Sequence, residues 1–186
     1  MMIRAKRIAG ALVLVLALVP ALALAQSRTI PAPREGDMAV SGNLGFARPF
    51  ADDFDDFEPL LSGSFEYHTS DRISWRGTLG FTEFDGEIDG RENEAELVFV
   101  NANIVHNWEN GYLHPFVTGG VGIYDEDTSG PDLPGGDVEI GLNAGGGLDW
   151  FFESHWAIKF EGLLHGVSGD EPDSFFSATV GAKYWF

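Results

Sequence analysis

The sequence predicts an all-β chain: an eight-stranded antiparallel up-and-down barrel that crosses a membrane on its strands. Three observations carry that expectation. From residue 37 onward apolar and polar residues alternate with a period of two, and no window supports the 3.6-residue repeat of an amphipathic helix. The connections between these segments are short and long by turns, as in a meander with tight turns at one end and loops at the other. All five tryptophans gather at the short-turn end once the segments are threaded up and down.

Ahead of the barrel, Arg4, Lys6 and Arg7 precede an apolar run from 8 to 19 and an Ala23-Leu24-Ala25 cleavage site, so 1–25 read as a Sec signal peptide. Residues 26–36 (QSRTIPAPREG) hold two prolines and no periodicity and read as a short flexible lead-in. The barrel domain then spans 37–186. Its strands are expected at 37–47, 59–68, 73–84, 95–108, 112–124, 138–152, 156–166 and 175–186. The first sets Met38, Val40, Leu44 and Phe46 against Ala39, Ser41, Asn43 and Gly45. The last sets Phe176, Ala178, Val180, Ala182, Tyr184 and Phe186 against Ser177, Thr179, Gly181, Lys183 and Trp185. The fourth is less regular, with Val105 among its polar positions and His106 among its apolar ones. Pro115, in the fifth, fits a strand only near an end or where no donor is needed. Short turns are expected at 69–72, 109–111 and 153–155, and long loops at 48–58, 85–94, 125–137 and 167–174.

Alternation is equally compatible with a soluble barrel that is apolar inside. The aromatic residues favour a membrane: Tyr67, Trp75, Trp108, Tyr112, Trp150, Trp156, Tyr184 and Phe186, with Trp185, form a girdle at one interface. The polar set is mostly Gly, Ser, Thr and Asn, which suits a crowded lumen, and strands of about ten residues match a tilted membrane strand. Backbone in lipid must be fully paired, so the eighth strand is expected to pair with the first. Parity sends Glu66, Arg76, Glu139, Asp149, Lys159, Glu161 and Lys183 into the lumen. Unpaired buried charge is costly, so mixed pairs such as Glu66–Arg76 or Glu161–Lys183 are expected, forming a plug of ion pairs rather than an ion path.

The chain has 29 acidic and 11 basic residues, a formal charge of −18. Without the signal peptide's three basic residues, eight remain against 29 acids, or −21. Such a charge argues against nucleic acid as a partner. Fifteen Phe and five Trp argue against disorder, and the absence of Cys excludes disulfides and a lipoprotein anchor. The glycine runs 119–122 and 145–147 match no phosphate loop and read as close packing. Acid concentrates in the long loops, as at Asp52, Asp53, Asp55 and Asp56, yet no loop spells an EF-hand, and no metal site or cofactor is expected. His68, His106, His114 and His155 read as interfacial polar residues too dispersed for a metal.

HPFVTGGVGIY (114–124), GLNAGGGLDWFFESHWAIKFE (141–161) and the terminal YWF resemble the small outer-membrane β-barrel family related to outer-membrane protein A. The resemblance covers 37–186 and implies an outer-membrane location. It implies a non-enzymatic role in structure or surface interaction, with a small channel as the alternative. It also implies two partners: the barrel assembly machinery, which in that family reads the aromatic closing strand, and outer-membrane lipid. For the acidic loops, lipopolysaccharide bridged by divalent cations follows from charge alone. A lipid A deacylase of the small-barrel kind is the one enzymatic comparison. Here His165-Gly-Val-Ser168 has the wrong spacing, Gly169 stands where that family has Asn, and His165 points to the lumen by parity.

Overall fold

The structure is a computed structural model that describes residues 33–50, 57–88, 91–109, 111–129, 137–168 and 174–186. The signal peptide, the lead-in through residue 32 and the loop acids Asp52, Asp53, Asp55 and Asp56 lie outside the described residues. Eight strands follow in order: β1 Met38–Pro49, β2 Glu58–His68, β3 Ile73–Ile88, β4 Arg91–Asn107, β5 Leu113–Ser129, β6 Asp137–Phe151, β7 Trp156–Ser168 and β8 Ser174–Trp185. Each pairs antiparallel with the next, and β8 returns to β1 to close the barrel. The closing register runs from Ala39 opposite Trp185 to Pro49 opposite Phe175. It is finished by Met38 N donating to Phe186 O at 3.1 Å and Phe186 N donating to Met38 O at 2.9 Å.

Short turns join β2 to β3, β4 to β5 and β6 to β7. In the first, Ser70 Oγ accepts from the Ile73 amide at 3.0 Å. In the second, Gly111 adopts φ +62°, a conformation that L side chains rarely take. Pro115 lies at this end of β5, where its carbonyl accepts from Trp108 N at 2.9 Å. Residues 33–37 are held against the same end of the barrel: Gly36, at φ +94°, donates its amide to His68 O, and His68 N donates to Asp37 O.

At the other end the strands outrun the sequence expectation. The segment 85–94, expected as an open loop, continues the β3–β4 ladder as far as Ile88 opposite Arg91. β5 likewise extends to Ser129, opposite Glu94. Alternation of polarity marks where a strand has unlike faces. Once both faces leave the membrane the alternation stops, while backbone pairing goes on.

The faces are inverted relative to a water-soluble barrel. Large apolar side chains such as Leu79, Ile140 and Leu142 point outward and are exposed, the last two by 67% and 66%. Asparagines, serines and the ionic groups point inward and are buried. The parity of β4 is unbroken: Val105 is buried inside, and His106 lies outside against Trp108, ring centroids 4.6 Å apart. Glycine makes the narrow interior possible. A Cβ on Gly80 would overlap the Phe99 ring, one on Gly122 would meet Asn101 and Tyr124, and one on Gly147 would meet Phe116. These glycines are notches for large inward side chains, which is the packing role expected of the 119–122 and 145–147 runs.

Gly80 and Gly77 therefore respond differently to added side chains. Gly80→Val displaces Phe99 and costs about 1–3 kcal/mol. Gly77→Ala, whose Cβ would meet nothing within 4 Å, stays within about 0.5 kcal/mol. Urea-unfolding midpoints in lipid vesicles, read by the folded-to-unfolded gel shift, separate the two.

Candidate functional site

Among the described residues the lumen is the region where chemically active side chains converge, and they lie in four layers. Nearest the short turns is a floor of rings. His68 packs at a tilt on Trp185 at 4.9 Å, Trp185 lies 6.0 Å from Phe151, and Phe151 lies 4.6 Å from His114. Sequence parity had already put Trp185 on the polar face; the structure keeps it in the lumen, so the girdle loses it. His68 and His114 are likewise buried inside rather than interfacial. His106 and His155 remain outside the lumen beside Trp108 and Tyr184.

The ionic layer comes next. Glu66 is its hub, accepting from Arg76 Nε at 3.0 Å, Lys183 Nζ at 3.0 Å and Ser74 Oγ at 2.6 Å. It also shares a hydrogen bond with His68 Nε2 at 3.1 Å. Arg76 reaches across to Glu161 on the opposite wall. Lys159 pairs with Glu161 at 2.7 Å, and Lys183 pairs with Asp149 at 2.7 Å. Three cations thus meet three carboxylates within one connected, buried network. Two rings support it: the Arg76 guanidinium lies 4.9 Å from the Phe116 centroid, and Lys183 Nζ lies 4.2 Å from Trp185.

Two of the sequence expectations need correction. Glu161 and Lys183 do not pair with each other: Lys183 stands opposite Ala157, and Lys159 lies between that position and Glu161 on β7. Glu139 takes no part in the network. It sits at the far end of β6, opposite Tyr124, and has no ion pair among the described residues. His68, Ser74 and Phe116 are network members that sequence reasoning missed. A buried polar residue one alternation step from Glu66 was the available signal for His68.

Beyond the charges lies a neutral polar layer. Ser41 and Ser64 hydroxyls are 2.6 Å apart, Asn43 Nδ2 donates to Ser62 Oγ at 3.1 Å, and Asn103 donates to Thr118 at 3.2 Å and to Asn143. An outer cap closes the stack with Leu60, Leu97, Phe99, Tyr124, Val167 and Phe175. Inside this cap His165 Nδ1 shares a hydrogen bond with Tyr124 OH at 3.0 Å, and His165 Nε2 shares one with Ser177 Oγ at 3.0 Å. Ser168, by contrast, is exposed and bonds Ile140 O, away from His165.

On the outer wall Tyr67, Trp75, Trp108, Tyr112, Trp150 and Phe186 are exposed near the short-turn end, and Trp156 packs on Tyr184 at 4.8 Å. At the other end of the wall a phenylalanine cluster, Phe46 with Phe57 and Phe176, forms a second aromatic group that the tryptophans gave no hint of. An apolar outer wall bounded by aromatics around a filled polar lumen defines a transmembrane β-barrel with a packed interior.

The chain belongs to the family described as outer membrane protein beta-barrel domain, matched over residues 10–186. Solved structures share the fold. Neisserial surface protein A superposes with a TM-score of 0.67 at 11% identity, covering 82% of this chain and 100% of that one. Ail of Yersinia pestis gives 0.61 at 18% identity, with 82% and 99% covered. The N-terminal barrel of Pseudomonas aeruginosa OprF gives 0.59 at 17%, with 83% and 100% covered. A search of curated proteins finds no match.

The ionic layer predicts a specific mutational pattern. Arg76→Met leaves Glu66 and Glu161 short of a partner across the lumen and destabilises the barrel by about 3–5 kcal/mol. Adding Glu161→Gln to it recovers part of that loss, a non-additivity that a double-mutant cycle of urea midpoints measures.

Proposed function

We propose that this protein is a closed outer-membrane barrel that serves in structure and surface contact, without passage of solutes and without catalysis. The observation that carries this reading is the continuity of the lumen filling: ring floor, ionic layer, polar layer and apolar cap succeed one another from end to end. A conducting pore needs a continuous aqueous path, and here ionic and polar side chains bond across the lumen while rings and apolar side chains pack over either end. The Sec signal at 1–25 is cleaved on export in this reading, and β8, with Tyr184 and Trp185 at its end and Phe186 just after it, is the strand that the assembly machinery reads.

Lipopolysaccharide is the partner proposed for the end away from the short turns, with divalent cations between. Cross-strand register supports it. Glu83 stands opposite Glu96, Asp85 opposite Glu94, Glu87 opposite Glu92, and Glu96 opposite Asp127 on its other side. Like charges directly opposite destabilise a ladder, and a cation shared with a lipid phosphate offsets that repulsion. Ail has been solved with the heparin analogue sucrose octasulfate, a polyanion. The acidic ladder here favours cations instead.

Planar-bilayer recording of the refolded barrel at neutral pH gives no steady conductance on this reading; ohmic channels in the unmodified protein would overturn it. Lipopolysaccharide capture by the barrel is supported by calcium and lost on chelation. It also weakens when Asp85, Glu94 and Glu96 are changed to their amides. Capture that survives both treatments would sink the cation-bridged partner.

A further inference from the structure

The outer cap is built around a histidine that the closed-barrel function does not explain. His165 is buried, 2% exposed, with both ring nitrogens occupied by hydroxyls rather than by an acid. One face lies flat on Phe175, centroids 4.2 Å apart at 4°. Phe99 at 5.6 Å and the Tyr124 ring at 5.9 Å enclose the rest. The groups facing it are Phe99 of β4 and Tyr124 of β5 across the lumen, Asn143 of β6, directly opposite it, and Phe175 and Ser177 of β8. Tyr124 is the one titratable group among them. The nearest acid of the ionic layer, Glu161, lies four residues away on its own strand and is already bonded to Arg76 and Lys159.

A neutral imidazole fits this site completely, because it offers one donor and one acceptor and each hydroxyl can play either part. An imidazolium does not. Both nitrogens must then donate, both hydroxyls must turn their protons elsewhere, and the charge sits between aromatic faces with no carboxylate bonded to it among the described residues, Glu161 acting only through its more distant field. The three carboxylates of the ionic layer are matched by Arg76, Lys159 and Lys183, so none is left over to compensate.

We propose that His165 makes the outer cap an acid-released seal. While the imidazole is neutral, the Tyr124–His165–Ser177 chain holds Phe99 and Phe175 closed over the polar layer. When acid charges it, the chain parts and water enters from the cap side as far as the ionic layer. The device rests on the closed-lumen reading, since a seal is needed only where the lumen is otherwise shut.

The absence of cysteine in the chain gives a direct test. Asn101→Cys places a thiol in the lumen beside the cap, and Thr118→Cys provides a second reporter on the adjacent β5 should the first not fold. Folding is checked by heat-shifted gel migration. Labelling by a small methanethiosulfonate is followed from neutral into acid pH, with each rate divided by that of free cysteine at the same pH. With His165 present, the normalised rate rises by about tenfold per pH unit, the slope of a single linked proton. In the His165→Gln background, which keeps a neutral hydrogen-bonding side chain, it stays flat. A flat rate with His165 present, or an equal rise with Gln, overturns the proposal. Labelling at neutral pH as fast as free cysteine would instead overturn the closed lumen itself.

Discussion

Closure of the sheet is the constraint on which the rest depends. In hydrocarbon a backbone N–H has no partner but another backbone group, so an open edge strand is not tolerated. The β1–β8 ladder removes both edges at once, down to the paired amides and carbonyls of Met38 and Phe186. With eight strands, closure also fixes a narrow interior. Everything pointing inward must then fit and be bonded. The glycine notches answer the first demand, and the ionic and polar layers answer most of the second, with atoms such as Asn43 Oδ1, Arg76 Nη2 and Asp149 Oδ1 left without a partner among the described residues.

The ionic layer illustrates how geometry chooses partners within that space. Asp149 and Lys159 are direct register neighbours, and yet Asp149 bonds Lys183 while Lys159 bonds Glu161. Arg76 and Glu161 meet from opposite walls, 85 positions apart in the chain. In a lumen this tight, the far wall competes on equal terms with the adjacent strand. The hub at Glu66 arises because four donors or shared bonds converge on one carboxylate that cannot reach water.

Much of the architecture was legible in the residues. Two-residue alternation and turn spacing were enough for eight strands, their order and the closing pair, because each depends on local pattern or on a general requirement of lipid. Strand ends were less legible: β3, β4 and β5 run on as paired backbone where polarity no longer alternates. Pairing inside the lumen was hidden for another reason, as parity says which residues point inward but not which wall they lean toward. The aromatic cap was missed altogether. Phe99, Tyr124 and Phe175 are inward-facing residues in a lumen read as polar, and only the glycines against the first two, Gly80 for Phe99 and Gly122 and Gly141 for Tyr124, recorded the space they need.

The even match of three cations and three carboxylates has a consequence for the electric field across the membrane. A single charge moved through that field does work of about 2.3 kcal/mol per 100 mV. Here the embedded charges cancel in a compact group, so a change in potential exerts almost no net force on the interior. The chain carries its formal charge of −18 almost entirely outside that group. The spanning body is electrically quiet, and any response of this protein to its surroundings has to arrive through chemistry at its ends rather than through voltage.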